Sequence, residues 1–484
     1  MTTHSDLLTL LDVSDRLIMD PVHGGIPLFA HEVRIIDHPW FQRLRFICQN
    51  DILSYVFPGA THSRFLHSIG TAHVGGRLFL GLMETSLDRA RHQTSLPDQG
   101  ELTRAIAYLY RVVRLACLLH DCGHSSFSHQ FERTPSLRRW LDLPDVRQYV
   151  QGNIPHPVDP DGAIEHEHFS LAIASHLCSE TGVERDGIVP GDVLSLMDKS
   201  EIRPSSRFRE ATEVLWPVLT LSDRSTADPD KLARVLSGIV SSEMDADRAD
   251  YLMRDGFHAS VTVGGFNLDH LAKNLYIGWE PESGWLGIAV SRKGLGALED
   301  FVYSRYQMYR KVYGHKTSIG FDWLLRQAIE EVLQEPACRD EVRAALTDLE
   351  AYCQLTDNYF WEAFRRHART RPNSFCAMMM RRQRLQHVLT LQNGGSQFTD
   401  VRTDLAREYG VPPSRIIFCS LPIRFTRINA GFDLIKYGHR NQFKSRGRTG
   451  YQPLVQASDF FQKFEDRQLT HFYLLPEEAP DPLL

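Results

Sequence analysis

The chain lacks the features that mark secreted and membrane-spanning proteins. Its 484 residues do not start with a basic segment and an unbroken apolar core, as a signal peptide would. No run approaches the ~20 apolar residues of a membrane helix. No CxxC pair occurs among the eight cysteines, and several of them stand in apolar segments. We therefore expect a cytoplasmic protein with reduced cysteines in its core.

A strong excess of one charge is also missing. The net charge of −6 gives no general attraction to nucleic acid or anionic membranes, so an anion site would need a local cluster of Arg and Lys. At roughly 100–200 residues per domain, the chain is too long for one compact core. We predict a mainly α fold, with a helical bundle in residues 1–330. Residues 331–484 would form a smaller C-terminal lobe, first helical and then α+β.

Periodicity and turn residues predict several elements. The segment Glu101–His120 places apolar side chains three and four residues apart, which predicts a helix with His120 at its buried end. Residues 86–100 and 143–162 are largely polar, with Pro and Gly, and predict loops. Residues 279–290 hold two β-prone runs around a Glu-Ser-Gly turn and predict a hairpin.

A concentration of metal-binding and proton-transferring groups follows the predicted helix, in LLHDCGHSSFSHQFE. These groups are His120, Asp121, His124, His129 and Glu132. An adjacent His-Asp pair offers nitrogen and oxygen to one cation and suits Mn, Fe, Zn or Mg better than a soft metal. Such a pair alone is more often a hydrogen-bonded structural couple. A metal site would need one more histidine before it and one more carboxylate after it.

Both additions have candidates. In THSRFLHSIGTAH, Arg64 and His67 are three residues apart and share a helical face. In SSEMDADRADYLMRD, Asp247, Tyr251 and Asp255 fall on one stripe of a helix. Taken singly, His67 would more often be a satisfied interior histidine, and the acidic stripe is compatible with a solvated face.

A later segment, YSRYQMYRKVYGHK, combines positive charge with aromatic rings. Arg305, Tyr309 and Tyr313 are spaced by four residues and would share one face of a helix. The run is also compatible with a basic amphipathic helix on the surface. Its occurrence together with the metal-binding motif favours a substrate site.

The segments ATHSRFLHSIG, LLHDCGHSSFSHQFE, IEHEHFS and DADRADYLMRD, in this order, resemble the HD superfamily of metal-dependent phosphohydrolases. With RYQMYRKVYGHK, the chain is similar to the deoxynucleoside triphosphate triphosphohydrolase branch, of the sterile-alpha-motif-and-HD-domain type. The resemblance runs from about Arg16 to about Lys316, and we expect no sterile-alpha-motif domain before it. It implies an HD-domain helical bundle that hydrolyses dNTPs to deoxynucleoside and inorganic triphosphate. It also implies a divalent metal and a homodimer or homotetramer.

The resemblance further implies residue roles. The metal ligands would be His67, His120, Asp121 and Asp247. The catalytic group would be His129, Glu132 and His166, with His124 facing the phosphates. Proton transfer to the departing 5′ oxygen is assigned to His129, held by Glu132. The substrate would be bound by Gln49, Arg64, Arg248, Tyr251, Asp255, Arg305, Tyr309, Tyr313 and Lys316.

Sugar selection follows from the same resemblance. Gln49 and Asp255 match residues that hold the deoxyribose 3′ hydroxyl, and Tyr313 matches a ring that crowds a ribose 2′ hydroxyl. Asn50 stands where relatives usually carry Leu, so the packing around the base or sugar is expected to differ.

A regulatory site is suggested by IIDHPWFQRLRFICQN, which resembles the segment that recognises an activating guanine nucleotide (GTP or dGTP) in tetrameric members. Asp37, Gln42 and Arg45 match the pattern. Upstream, Arg16 replaces the usual Lys and Met19 replaces an Asn, so the pattern is incomplete. An Arg-rich core helix is the alternative.

Two other functions stay open. The same metal and histidines are able to cut a phosphodiester, so a nuclease on single-stranded DNA is one alternative. The basic residues of 439–450 could line an anion site or contact nucleic acid. The predicted triphosphate clamp of Arg248, Arg305 and Lys316 argues against a nuclease. A non-enzymatic nucleotide sensor is the second alternative, and the intact ligand set disfavours it.

Overall fold

The structure is a computed structural model in which helices dominate. It describes residues 16–91, 96–155, 159, 162–198, 203–222, 225–263, 265–393, 398–423, 435–438, 450–463 and 466–483. The mainly α prediction is confirmed, since the strands of the described residues form only small sheets.

The helices of the first part of the chain are α1 (Ala30–Asp37), α2 (Pro39–Gln42), α3 (Arg64–Ala90), α4 (Gln99–Leu119), α5 (His129–Arg133), α6 (Pro135–Leu141), α7 (Pro144–Asn153), α8 (His166–Thr181), α9 (Pro190–Met197), α10 (Ser206–Thr220), α11 (Pro229–Val240), α12 (Ala246–His258), α13 (Leu268–Ala272) and α14 (Leu295–Met308). A π-helical turn, Tyr309–Tyr313, continues α14. The later helices are α15 (Lys316–Leu333), α16 (Pro336–Ala345), α17 (Leu349–Gln354), α18 (Asp357–Thr370), α19 (Phe375–Met380), α20 (Phe398–Tyr409) and α21 (Leu454–Ala457).

The strands are β1 (Leu17–Asp20), β2 (Gly24–Pro27), β3 (Leu275–Glu280), β4 (Trp285–Ser291), β5 (Gln386–Gln392), β6 (Ile416–Ile423), β7 (Ile435–Gly438), β8 (Tyr451–Pro453) and β9 (Arg467–Leu474). Strands β3 and β4 pair antiparallel, with Trp279 opposite Leu286, which confirms the predicted hairpin. Strand β7 then adds parallel to β4, and β8 pairs with β7. One hydrophobic cluster extends from Ile26 to Ala479. The division at residue 330 stays a prediction.

Helices α3, α4 and α12 pack together and carry the site. Helix α4 agrees with the predicted segment 101–120 within two residues, and His120 is its C-terminal cap. Close packing of α3 on α12 depends on Gly70, because an added Cβ there would lie 2.0 Å from Asp250 Oδ1. Asp245 caps α12 by accepting the Arg248 N–H. The end of α4 and the start of α12 therefore meet near the start of α3.

Two segments predicted as loops contain helix instead. Helix α3 continues to Ala90, because Leu87 and Ala90 extend its buried face. Within residues 143–162, Pro144 opens α7, and Val146 and Val150 bury one side of it. These segments are polar on average, but their few apolar residues stand at helical spacing, and composition alone does not indicate a helix there.

Two further expectations concern cysteine and the membrane. All eight cysteines are free, and six of them are buried, as predicted. Among the described residues, no helix combines the length and the apolar composition that crossing a bilayer requires.

Candidate active site

Four predicted ligands from three parts of the chain meet at one point. His67 comes from α3, His120 and Asp121 from the end of α4, and Asp247 from the first turn of α12. His67 Nε2 lies 3.1 Å from Asp247 Oδ1 and 3.7 Å from Asp121 Oδ2. His120 Nε2 lies 3.7 Å from Asp247 Oδ1 and 3.5 Å from Asp121 Oδ1. Two imidazole nitrogens and two carboxylates therefore face one centre.

The two histidines are oriented from behind. His67 Nδ1 donates to Asp250 Oδ2 at 2.8 Å, and His120 Nδ1 donates to the Cys117 carbonyl oxygen at 2.8 Å. These bonds fix the tautomer and leave a lone pair on each Nε2. Both Nε2 atoms are buried and form no hydrogen bond. Unpaired nitrogen acceptors beside two carboxylates fit a divalent cation, which these residues could hold.

Asp250 is a supporting residue that the sequence analysis did not assign to the site. It is fully buried, bonds His23 Nε2 at 2.6 Å and accepts from Arg254 Nε at 2.8 Å. Burial opposes its charge, but Arg254 and the bonds from the two histidines hold the pKa of Asp250 well below its usual value. Its spacing of three residues from Asp247 was the available signal, because that spacing puts both carboxylates on one side of α12.

The ligand carboxylates are ionised at neutral pH. Burial alone would raise the pKa of Asp247, but the neighbouring imidazoles of His120 and His67 hold it well below its usual value. Burial also opposes the charge of His67, yet Asp247 and Asp250 raise its pKa to about 10 in the metal-free protein, so a bound cation would replace the Nε2 proton. The chain thus concentrates negative charge where a cation would bind.

A group of three histidines lies next to this centre. His124 stacks on His166 at 3.6 Å between ring centroids, and His129 faces both rings edge-on at 5.1 and 5.3 Å. The His129 side chain is 51% exposed. The loop can approach α8 because Gly123 lacks a Cβ, which would lie 2.1 Å from the Ser170 N.

Glu132 contacts both His129, as predicted, and His166. Its Oε1 accepts from His166 Nδ1 at 3.0 Å and also from the His166 backbone N–H, whereas its Oε2 lies 3.9 Å from His129 Nδ1. Glu132 therefore pairs with His129 at longer range and bonds His166 more closely, because the start of α8 presents two donors to this carboxylate. Burial opposes the charge of His166, but the bond from Glu132 and the charge of Glu167 raise its pKa.

A strained turn positions His129. Phe127 and Ser128 have φ values of 52° and 48°, in the region that side chains other than glycine rarely adopt. Asp357 Oδ1 accepts the Phe127 N–H at 2.8 Å, and Arg64 Nε donates to Ser128 Oγ at 2.7 Å. Sequence reasoning missed Asp357, since nothing local connects it to a turn so distant along the chain.

These groups line a cavity of about 880 Å³, a volume in the range of small-molecule sites. Thirteen of the predicted site residues contribute to its wall: Gln49, Arg64, His120, Asp121, His124, His129, His166, Asp247, Arg248, Tyr251, Asp255, Tyr309 and Tyr313. The stripe of Asp247, Tyr251 and Asp255 predicted on one helix face therefore does face one cavity.

The predicted clamp of three cations comes together only in part, since Arg248 and Arg305 share Glu243 and Lys316 lies elsewhere. Arg305 lies behind the wall and pairs with Glu243 Oε2 at 3.0 Å, while Arg248 reaches Glu243 Oε1 at 3.2 Å. Lys316, in the first turn of α15, lines a separate cavity of about 250 Å³. The predicted helical face is also altered, because Tyr309–Tyr313 forms a π turn, a feature frequent at functional sites.

Polar groups suited to a sugar occupy another part of the cavity wall. The Tyr313 hydroxyl donates to Asp255 Oδ2 at 2.5 Å, and His62 Nε2 bonds Asp255 Oδ1 at 2.8 Å. The Gln49 Oε1 is buried and has no hydrogen-bond partner. Asn50 also lines the cavity.

The residues of the predicted regulatory segment pair with one another at the surface. Arg16 Nη1 donates to Asp37 Oδ1 at 2.7 Å, and Arg45 Nε donates to Gln42 Oε1 at 2.7 Å. The Arg45 guanidinium also lies 3.6 Å from the centroid of the Phe65 ring. The predicted basic segment 439–450 lies, except for its last residue, outside the described residues.

Comparisons with known proteins show what the chain is similar to. Residues 286–423 match the family model described as an HD associated region. The chain is 28% identical over 357 residues to deoxynucleoside triphosphate triphosphohydrolase SAMHD1 of Homo sapiens, covering 72% of this chain and 50% of that protein. It is 25% identical over 414 residues to the uncharacterized protein YwfO of Bacillus subtilis, covering 83% of this chain and 78% of that protein.

The relatives named as triphosphohydrolases are longer proteins. The chain spans about half the length of the Homo sapiens and Bos taurus enzymes that it matches. The resemblance inferred from the motifs is nevertheless confirmed, because the similarity extends over 72% of this chain in the Homo sapiens comparison.

Proposed function

We propose that this chain, which is similar to HD-type deoxynucleoside triphosphate triphosphohydrolases, hydrolyses dNTPs to deoxynucleoside and inorganic triphosphate with a divalent metal. The observation that carries the proposal is the meeting of His67, His120, Asp121 and Asp247 beside the cavity, with both Nε2 atoms buried and unpaired. Two nitrogens and two carboxylates suit Mn, Fe, Zn or Mg. A bound cation would withdraw charge from the phosphate and help to activate water.

The histidine group supplies proton transfer. His129 is exposed to the cavity, and Glu132 Oε2 lies 3.9 Å from its Nδ1 and favours its protonated form, so we assign to it the protonation of the departing 5′ oxygen. Burial opposes the charge of His166, but its bond to Glu132 raises its pKa, and His166 would face the phosphates together with His124. Such a proton donor is typically worth about 10²–10⁴-fold in rate.

Arginines of the cavity wall would hold the phosphates. Arg64 and Arg248 both line the cavity, and each is already oriented by carboxylates: Arg64 by Asp121, and Arg248 by Asp245 and Glu243. Arg305 would act through the same Glu243, and Lys316 only after a rearrangement of the start of α15. Oriented guanidinium groups bind phosphate in a defined geometry.

Selection of deoxyribose would depend on Gln49, Asp255 and Tyr313. The unpaired Gln49 Oε1 is an acceptor for a sugar hydroxyl, and the bond from Tyr313 to Asp255 holds the tyrosine ring over the same part of the cavity. The ring then rejects a 2′ hydroxyl by crowding rather than by a lost hydrogen bond. We therefore expect deoxyribonucleoside triphosphates to be hydrolysed in preference to ribonucleoside triphosphates.

Activation by GTP or dGTP and assembly into a dimer or tetramer are further parts of the proposal. Arg16 pairs with Asp37, and Arg45 pairs with Gln42, and both pairs are exposed, which is compatible with a nucleotide site. Activity on dTTP, measured with and without GTP, tests activation. Full activity on dTTP alone would contradict activation by GTP or dGTP but would leave the proposed hydrolysis of dNTPs untouched.

Product analysis on a panel of substrates tests the reaction itself. We expect dNTPs to yield deoxynucleoside and triphosphate, and single-stranded DNA and NTPs to be poor substrates. His129→Ala should lower turnover about 10²–10⁴-fold while the metal content stays unchanged. Cleavage of DNA in preference to dNTPs would favour the nuclease, and nucleotide binding without any product would favour the sensor.

A further inference from the structure

A second buried cluster of metal-binding side chains lies away from the cavity, among the helices of the C-terminal half. Glu331 of α15, His367 of α18 and Cys376 of α19 each offer a ligand atom, and these atoms lie within 4.8 Å of one another. The three residues are 8%, 2% and 0% exposed. Helices α15, α18 and α19 pack on one another at this point.

His367 has the arrangement of a metal-binding histidine. Its Nδ1 bonds Glu335 Oε1 at 2.6 Å, so this nitrogen carries the proton and Nε2 keeps a lone pair. The Nε2 is buried, points into the cluster and has no hydrogen-bond partner. A carboxylate behind the distal nitrogen is the usual support of a metal-ligating histidine. An unpaired acceptor in a core is costly unless something binds it.

Glu331 and Cys376 complete the set of donors. The Glu331 oxygens accept the backbone N–H groups of Phe375 and Cys376 at 2.8 Å each, and each oxygen retains a second lone pair. Glu331 Oε2 lies 3.9 Å from His367 Nε2. Tetrahedral bonds of about 2.0 Å place two such ligands about 3.3 Å apart. A contraction of a few tenths of an ångström on each side would satisfy this geometry.

We propose that Glu331, His367 and Cys376 bind Zn²⁺ at a second metal site, which ties α15, α18 and α19 together. Thiolate, imidazole and carboxylate are the donors that zinc takes in proteins, and three of them leave the fourth tetrahedral position to a further ligand. Binding removes the proton of the Cys376 thiol, whose Sγ otherwise makes a weak contact of 3.5 Å with the Ala328 carbonyl oxygen.

Cobalt titration of the unmodified, metal-free chain provides the first test. The candidate active-site ligands are histidine and aspartate, so a thiolate-to-cobalt absorption band reports a site that contains cysteine. We expect one equivalent of Co²⁺ to produce this band and Zn²⁺ to abolish it. The band should be absent in Cys376→Ser and retained in Cys353→Ser, which alters another buried cysteine of the same half. Absence of the band in the unmodified chain would overturn the proposal, whether or not the variants fold.

The supporting carboxylate provides the second test. Glu335→Gln leaves all three ligands in place but weakens the acceptor behind His367, and we expect about a 10–100-fold loss of Co²⁺ affinity at the thiolate band. An unchanged affinity would show that His367 is not a ligand. Both outcomes are independent of dNTP hydrolysis, because neither Cys376 nor Glu335 lines the cavity.

Discussion

The substitution Asp250→Asn tests how the candidate metal centre is held. In the structure, Asp250 Oδ2 accepts from His67 Nδ1, and both of its oxygens accept from the Arg254 guanidinium. An asparagine keeps only one acceptor oxygen, so one side of the amide must turn a donor towards His67 or Arg254. If the amide donates to His67, the proton moves to Nε2 and the lone pair that faces the cation is lost.

The expected loss of metal affinity follows from the role of Asp250 as a supporting residue behind a metal ligand. Loss of such a partner typically lowers metal affinity about 10–100-fold, or about 1.4–2.8 kcal/mol. We expect Mn²⁺ titrated calorimetrically into metal-free Asp250→Asn to bind more weakly by this factor. Saturating Mn²⁺ should restore most of the turnover of dGTP, because Asp250 does not line the cavity.

A matched control separates metal affinity from stability. Asp20 accepts from the same Arg254, at 2.7 Å, but does not contact His67. Asp20→Asn should therefore lower the melting temperature without changing the affinity for Mn²⁺. If both variants lose the same affinity, or if Asp250→Asn loses none, the assigned role of the His67–Asp250 bond is wrong.

Three further predictions concern the sugar, the proton donor and pH. Tyr313→Ala should raise the ratio of GTP to dGTP hydrolysis, whereas Tyr313→Phe should not, because it keeps the ring; equal ratios would contradict the crowding account. His129→Ala should lower turnover about 10²–10⁴-fold with unchanged metal content; loss of metal would assign it another role. The raised pKa of His166 implies that its pairing with Glu132 stabilises the fold fully below about pH 6.5 and loses this effect as pH rises through the raised value. Glu132→Gln should therefore depress the melting temperature of the metal-free protein more at about pH 5.5 than at about pH 9; an equal depression would contradict the assigned pair.

The sequence predicts those parts of the site that depend on helical spacing. Asp247, Tyr251 and Asp255 recur every four residues and do line one cavity. The helix ending at His120 was equally visible, because its apolar face is regular over five turns. Helical spacing depends only on neighbouring residues, so it predicts correctly which side chains share a face when one side of the helix is buried.

Helical spacing does not predict contacts between segments that are far apart in the chain. The bond from Glu132 to His166 depends on how closely the loop after α4 approaches α8, which Gly123 determines. The support of Phe127 by Asp357 connects residues far apart in the chain. Lys316 lies outside the cavity because the helix of Tyr309 and Tyr313 ends there and a new helix, capped by His315, begins at Lys316; a spacing rule for one continuous helix does not anticipate this break.

The most direct test of the central claim is phosphorus NMR of dGTP hydrolysis in water enriched in heavy oxygen, with Mn²⁺ present. The account predicts deoxyguanosine and inorganic triphosphate as the products, with the heavy oxygen in the triphosphate, because water attacks the α-phosphorus and the 5′ oxygen departs. Heavy oxygen in the nucleoside, or release of pyrophosphate or phosphate instead of triphosphate, would contradict it.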